Sequence, residues 1–284
     1  MKERNSMNPE QNTDQKRTET VTDPVTKEML VNALKKLGVR QNQILEVHAS
    51  LSSFHYVIGG ARTIVDALME ICGQSGTLLM PMQTMDNSEP SDWDNPAIAP
   101  ELWPDIRKSM PAYDPNASDI PGIGEVAENF RHREGVVISN HPAVSYAAWG
   151  RYARLLCNRQ SLHFPLAEES PTARLYELKG NVLLIGCDMD KCTCMHLAEY
   201  RTDCRPIRIC GSSIRSEEGS VWRKYLDLST DSSAFVRVRQ KMERKNMIHE
   251  TMLGGSQIMY FSASAAIDEA TSCLESASVF DMYR

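Results

Sequence analysis

A histidine and a glutamate three residues apart, His196 and Glu199, offer the clearest chemistry in this chain. They follow an apolar run from Asn181 to Cys187 that reads as a buried strand. Thr193 is placed to cap a helix, which sets His196 at its third position and Glu199 one turn further along the same face. A carboxylate at that spacing can orient the imidazole and support the imidazolium as it forms, while a helix N-terminus disfavours a permanent positive charge. Such a pair suits a general base for an attacking nucleophile. By spacing alone, both residues also read as ordinary first-turn helix residues.

A second group is the hydroxyl-rich loop that follows His48, with Ser50, Leu51, Ser52 and Ser53. At the C-terminal end of a strand, such a loop can offer N–H and O–H groups to phosphates or amides. A third is the density of soft ligands in Cys187, Cys192, Cys194, His196, Cys204 and Cys210. Zinc accepts such ligands, but Cys-x-Cys-x-His lacks the usual two-residue hairpin spacing. A helix from Thr193 would also turn these side chains to different faces, so no metal is expected. His141 in an Asn-His-Pro turn reads equally as a catalytic aid or a structural imidazole. His55, His132 and His249 have no partner in sequence, and neither they nor His163 is expected to take part in the chemistry.

The elements that must position these residues alternate. Asp23-Pro24 predicts the start of an amphipathic helix closed by Gly38. Residues 44–48 form a strand, 61–72 a helix and 76–81 a strand, a βαβ unit with a ligand crevice at its strand C-termini. The stretch from Met82 to Ile120 contains six prolines and is too broken for continuous regular structure; such excursions usually serve as lids or binding loops. It also carries eight acids against two bases between Asp86 and Asp119. Further along come a helix at 124–131, short strands at 136–138 and 143–148, and a helix at 170–178. A hairpin at 205–210 and 221–228, a helix at 231–245, strands at 246–253 and 256–262, and a last helix complete an α/β fold with a mixed sheet flanked by helices.

Composition narrows the partners. With 284 residues and 42% hydrophobic content, the chain can bury one large core. Residues 1–22 are too polar to offset their ordering entropy and are expected to form a disordered leader, leaving 23–284 as the folded domain. A net charge of -6 argues against nucleic acid, which needs clustered Lys and Arg. Neither a signal sequence nor a membrane span is evident, so a cytoplasmic protein with reduced thiols is expected. A homodimer is left open.

The blocks His48 to Ser53, Val57 to Gly60, Gly76 to Pro81, Met110 to Pro115, Ser139 to Pro142, Ala147 to Gly150, Glu169 to Pro171 and His196 to Glu199 occur in one order. Together they resemble the aminoglycoside 3-N-acetyltransferase family, from about Leu30 to the C-terminus. The resemblance implies acetyl transfer from acetyl-coenzyme A (acetyl-CoA) to the 3-amino group of a 2-deoxystreptamine antibiotic, with His196 as general base and Glu199 as its partner. It implies cofactor contacts at His48, Ser50, Leu51, Ser52, Ser53 and Ser145. The acids Asp86, Glu89, Asp92 and Asp94 are expected to attract the polycationic acceptor. One departure is Met82, where the family usually carries a threonine thought to assist at the thioester; Gln83 or Thr84 could substitute. Transfer to a different amine, or a catalytically weak relative that binds coenzyme A, is the alternative.

Overall fold

The structure, a computed structural model, describes residues 20–275 apart from 85 and 218. Most of the expected leader, residues 1–19, lies outside the described residues, and 20–22 are exposed. The chain opens with α1 (Lys27–Leu37), β1 (Ile44–Ala49), α2 (Gly60–Cys72) and β2 (Thr77–Gln83). There follow α3 (Trp103–Ser109), α4 (Glu125–Arg131), β3 (Val137–Ile138), β4 (Val144–Gly150) and α5 (Ala153–Cys157). Next come α6 (Pro171–Glu177), β5 (Asn181–Ile185), α7 (Leu197–Tyr200), β6 (Ile207–Ser216) and β7 (Gly219–Leu228). The last elements are α8 (Phe235–Arg244), β8 (His249–Leu253), β9 (Ser256–Ser262) and α9 (Ala263–Leu274).

Seven strands form one mixed sheet in the order β3-β4-β2-β1-β5-β9-β8, and β6 and β7 form a separate hairpin. β1 pairs in parallel with β2 on one side and β5 on the other, whereas β4 and β9 run antiparallel to their neighbours. The expected mixed α/β fold is therefore the observed one. Because successive strand residues point to opposite faces, β1 splits its side chains between two cores. Leu45 and Val47 pack beneath α1, α2 and α4, while Ile44 packs with α6, α8 and α9. Glu46 shares the face of Ile44 and is completely buried, an uncommon position for a carboxylate. Burial of large side chains such as Leu45, Leu68, Leu183 and Phe261 stabilises each layer by about 1.5–3 kcal/mol apiece.

Several boundaries differ from the sequence reading for local reasons. α1 starts at Lys27, because Thr26, not Asp23, caps it by accepting the Met29 N–H at 3.2 Å. Val25, just before it, instead forms a parallel bridge with Val57. The hairpin strands are longer than expected, pairing continuously from Ile207↔Leu228 to Ser216↔Gly219. The excursion contains short 3₁₀ turns at Pro90–Asp92 and Pro100–Leu102, followed by the seven-residue α3. α5 was not expected; at five residues it is too short to show periodicity.

Candidate active site

A cleft of about 1140 Å³ opens at the C-terminal ends of β1, β2 and β5. Its walls include His48, Ser50, Gln83, Thr84, Gly186 and His196 from the sheet side, and Asp86, Glu89, Arg208, Tyr225 and Asp227 from the excursion and hairpin. Gly186 sits where β5 ends, at φ +66°, and a Cβ there would lie 1.8 Å from the Ser53 hydroxyl oxygen. Only glycine lets the chain turn at that point.

His196 ends a 3₁₀ turn, Thr193–His196, that leads directly into α7. Its Nδ1 lies 2.5 Å from Glu199 Oε2, so the expected partnership is present. Thr193 does not cap this turn. Two side chains of β1 serve it instead: the Thr193 N–H donates to His48 Nε2 (3.3 Å) and the Cys194 N–H to Glu46 Oε1 (3.0 Å). The His196 ring leans on Phe235, with ring centroids 5.0 Å apart, and is largely buried while still lining the cleft.

Glu199 is completely buried. Burial pushes its carboxyl up, but the opposing contacts outweigh this and the net direction is below the usual range: His196, the Asp231 N–H at 3.0 Å and the Arg205 guanidinium all favour the charged form. Arg205 is itself fixed by the Asp231 carbonyl at 2.7 Å. Neither Arg205 nor Asp231 was singled out from the sequence. The glutamate is thus favoured in its charged form, and His196 is held through Nδ1 while its ring lines the cleft.

The cofactor candidates separate by position. His48 and Ser50 line the cleft. Ser52 bonds Ser50 at 3.1 Å, and Ser53 bonds the Ser50 carbonyl and Ser256 at 2.7 and 2.8 Å, so these hydroxyls hold the loop together. Leu51 packs onto the core beneath α2. Ser145 is fully buried, partnered by the Tyr113 hydroxyl at 2.8 Å and donating to the Met82 carbonyl at 3.1 Å. Leu51, Ser52, Ser53 and Ser145 are not among the residues of the cleft wall.

The acids of the excursion separate in the same way. Asp86 is exposed on the cleft. Glu89 also borders it but is buried, bound twice by Arg107 (2.8 and 3.0 Å) and by the Trp222 indole N–H at 3.3 Å. Gly211 makes room for this carboxylate, since a Cβ there would lie 2.3 Å from Glu89 Oε1. Asp92 pairs with Arg208, and neither Asp92 nor the exposed Asp94 belongs to the cleft wall. Of the four acids expected to attract a cation, Glu89 and Asp92 are thus neutralised by arginines, while Asp86 and Asp94 stay exposed.

Asp227 is the acid that sequence reasoning missed. It lines the cleft and accepts from the Tyr200 hydroxyl at 2.6 Å, and burial pushes its carboxyl up against that hydrogen bond. As part of β7, it carried no signal beyond a strand aspartate. His141 proves structural: Nδ1 accepts the N–H groups of Ala143 and Val144 (3.2 and 3.0 Å), which requires Nε2 to donate to the Leu162 carbonyl at 3.2 Å. Its burial pushes the imidazole down to about 4. Met82 is completely buried in the apolar layer with Val126 and Phe130, so the side chain at this position does not face the cleft. Gln83 and Thr84 do.

A mixed α/β fold with a carboxylate-held imidazole beside a large cleft is an arrangement found in group-transfer and hydrolytic enzymes. Residues 47–275 match the family model described as aminoglycoside 3-N-acetyltransferase, and the chain belongs to that family of acyltransferases. The prophage-derived aminoglycoside N(3')-acetyltransferase-like protein YokD of Bacillus subtilis (strain 168) is 38% identical over 89% of this chain and 93% of its own. Its crystal structure superposes with a TM-score of 0.85, covering 88% of this chain and 93% of that one. Aminoglycoside N(3)-acetyltransferase IX of Micromonospora chalcea is 33% identical over 81% of this chain and 83% of its own. AAC-VIa bound to sisomicin is 27% identical, with a TM-score of 0.78, covering 90% of this chain and all of that one. Among the described residues, no helix is long and apolar enough to cross a membrane.

Proposed function

We propose that this chain transfers an acetyl group from acetyl-CoA to the 3-amino group of a 2-deoxystreptamine aminoglycoside by direct attack, with His196 as the general base. The observation that carries this reading is the imidazole held through Nδ1 by a buried, ionised Glu199 while its ring borders the cleft. Nε2 takes the proton of the attacking amine, and Glu199 stabilises the imidazolium that results. Amine and thioester held side by side need no covalent enzyme intermediate. The hydroxyl and backbone donors around Ser50 and Thr84 suit the pantetheine arm and the developing oxyanion.

Asp86 and Asp227 are the acids proposed to receive substrate ammonium groups. An ammonium beside Asp227 would offset the cost of burying its charge. The sisomicin seen with AAC-VIa supports a polycationic acceptor of this kind.

Incubation of the protein with acetyl-CoA and a panel of aminoglycosides, read by mass spectrometry, should give singly acetylated products. Failure to acetylate any of them would overturn the acceptor assignment. A second reading, acetyl transfer to a smaller amine, is favoured by the internal pairing of Glu89 with Arg107 and of Asp92 with Arg208, which leaves less free anionic surface for a polycation. Including monoamines in the same panel separates the two.

A further inference from the structure

Beneath the His196 turn lies a polar cluster that the reaction does not use. Glu46, Cys192 and Cys194 are all completely buried, and one potential ligand atom from each lies within 4.8 Å of the others. The two sulfurs are 3.6 Å apart. Two thiolates on one tetrahedral zinc, each about 2.3 Å from the metal, stand about 3.8 Å apart. The Glu46 oxygen Oε2 is buried without a hydrogen-bond partner, although Oε1 is engaged by His48 and the Cys194 N–H. His48 Nε2 lies 2.9 Å from Glu46 Oε1 and 3.3 Å from the Thr193 nitrogen, so a single ring nitrogen is shared between a carboxylate and an N–H donor. The buried Tyr146 hydroxyl, on which the charges of Glu46, Cys192 and Cys194 bear, likewise has no partner.

A buried carboxylate with an unpaired oxygen is costly. A divalent cation would take that oxygen as a ligand and so give the unpaired atom a partner. We propose that Glu46, Cys192 and Cys194 bind one zinc ion, which clamps β1 to the turn carrying His196.

Two sulfurs select a thiophilic metal, and the hard carboxylate oxygen argues for zinc over copper(I). Binding converts both thiols to thiolates and releases two protons to solvent. The sequence expectation of no metal rested on the atypical Cys-x-Cys spacing and on a helix turning these side chains apart; the 3₁₀ turn instead brings the two sulfurs together, and Glu46 arrives from a distant strand. The third ligand is thus Glu46 and not His196.

The test uses the full chain produced in zinc-supplemented medium and purified without chelator. Elemental analysis should find about one zinc per chain, and chelation should lower Tm by several degrees (on the order of those for losing a bound ligand). Cobalt(II) added to the stripped protein should give thiolate-to-cobalt charge-transfer absorption. Cys192→Ser, Cys194→Ser and Glu46→Gln should each lose most of the zinc, while Cys72→Ser, which alters a buried thiol in α2, should keep it. A wild-type chain that takes up neither zinc nor cobalt would overturn the proposal, as would a Cys192–Cys194 disulfide in the unreduced protein or full zinc retention by Cys192→Ser. The wild-type chelation and cobalt arms decide the matter even if a variant fails to fold, and none of these readouts depends on acetyl transfer.

Discussion

Glu199 on the sheet side of the cleft and Glu89 on the excursion side are both buried acids bound by arginines, yet only Glu199 touches an imidazole. The sheet wall combines a local i, i+3 pair with two partners from beyond α7, and every contact orients one ring. The excursion wall uses Arg107 and Arg208 to cancel its own acids, and it keeps Asp86 and Asp227 for the cleft. The difference shows that an acidic stretch in sequence is a poor guide to field. What matters is which acids remain unpaired once distant strands have been added.

The largest test of this contrast is His196→Ala. Loss of a general base should lower turnover by about 100-fold or more, with little change in coenzyme A binding; near-normal turnover would remove the functional difference between the walls.

The second test is acid. His141 supports the hairpin wall through an edge-on contact with Tyr225, ring centroids 5.4 Å apart. Its folded value of about 4 lies below the ordinary 6.5, so below pH 6.5 the unfolded chain binds a proton that the folded chain excludes. Stability from this residue is therefore present near neutrality and declines as pH falls from 6.5 to 4, by about 3 kcal/mol. Urea unfolding across that range should show the slope in the wild type and a smaller one in His141→Gln.

Met82→Thr comes next. Burying a hydroxyl in the apolar layer should cost about 1–3 kcal/mol in thermal or urea unfolding without raising activity. A gain in turnover would show that position 82 reaches the cleft after all.

The smallest expected effects separate the acids. Asp227→Asn should raise KM for polycationic acceptors by roughly 5- to 10-fold with kcat less affected, on the scale of one charge-assisted contact. Asp94→Asn should leave both within about twofold, as expected for an exposed charge. Equal responses from the two would erase the distinction between cleft acids and surface acids.

The sequence alone determined what depends on neighbours in the chain. The βαβ unit from β1 to β2 followed from hydrophobic runs separated by glycine stops, and the pairing of His196 with Glu199 followed from their spacing, because both are local relations that the backbone repeats fix. The tertiary structure decided what depends on residues far apart. Arg205 and Asp231 reached Glu199, Asp227 entered the cleft from β7, Met82 turned into the core, and Glu46 met Cys192 and Cys194 across about 150 positions. Such meetings are set by sheet order and by the alternation of strand faces, and neither leaves a mark at short range.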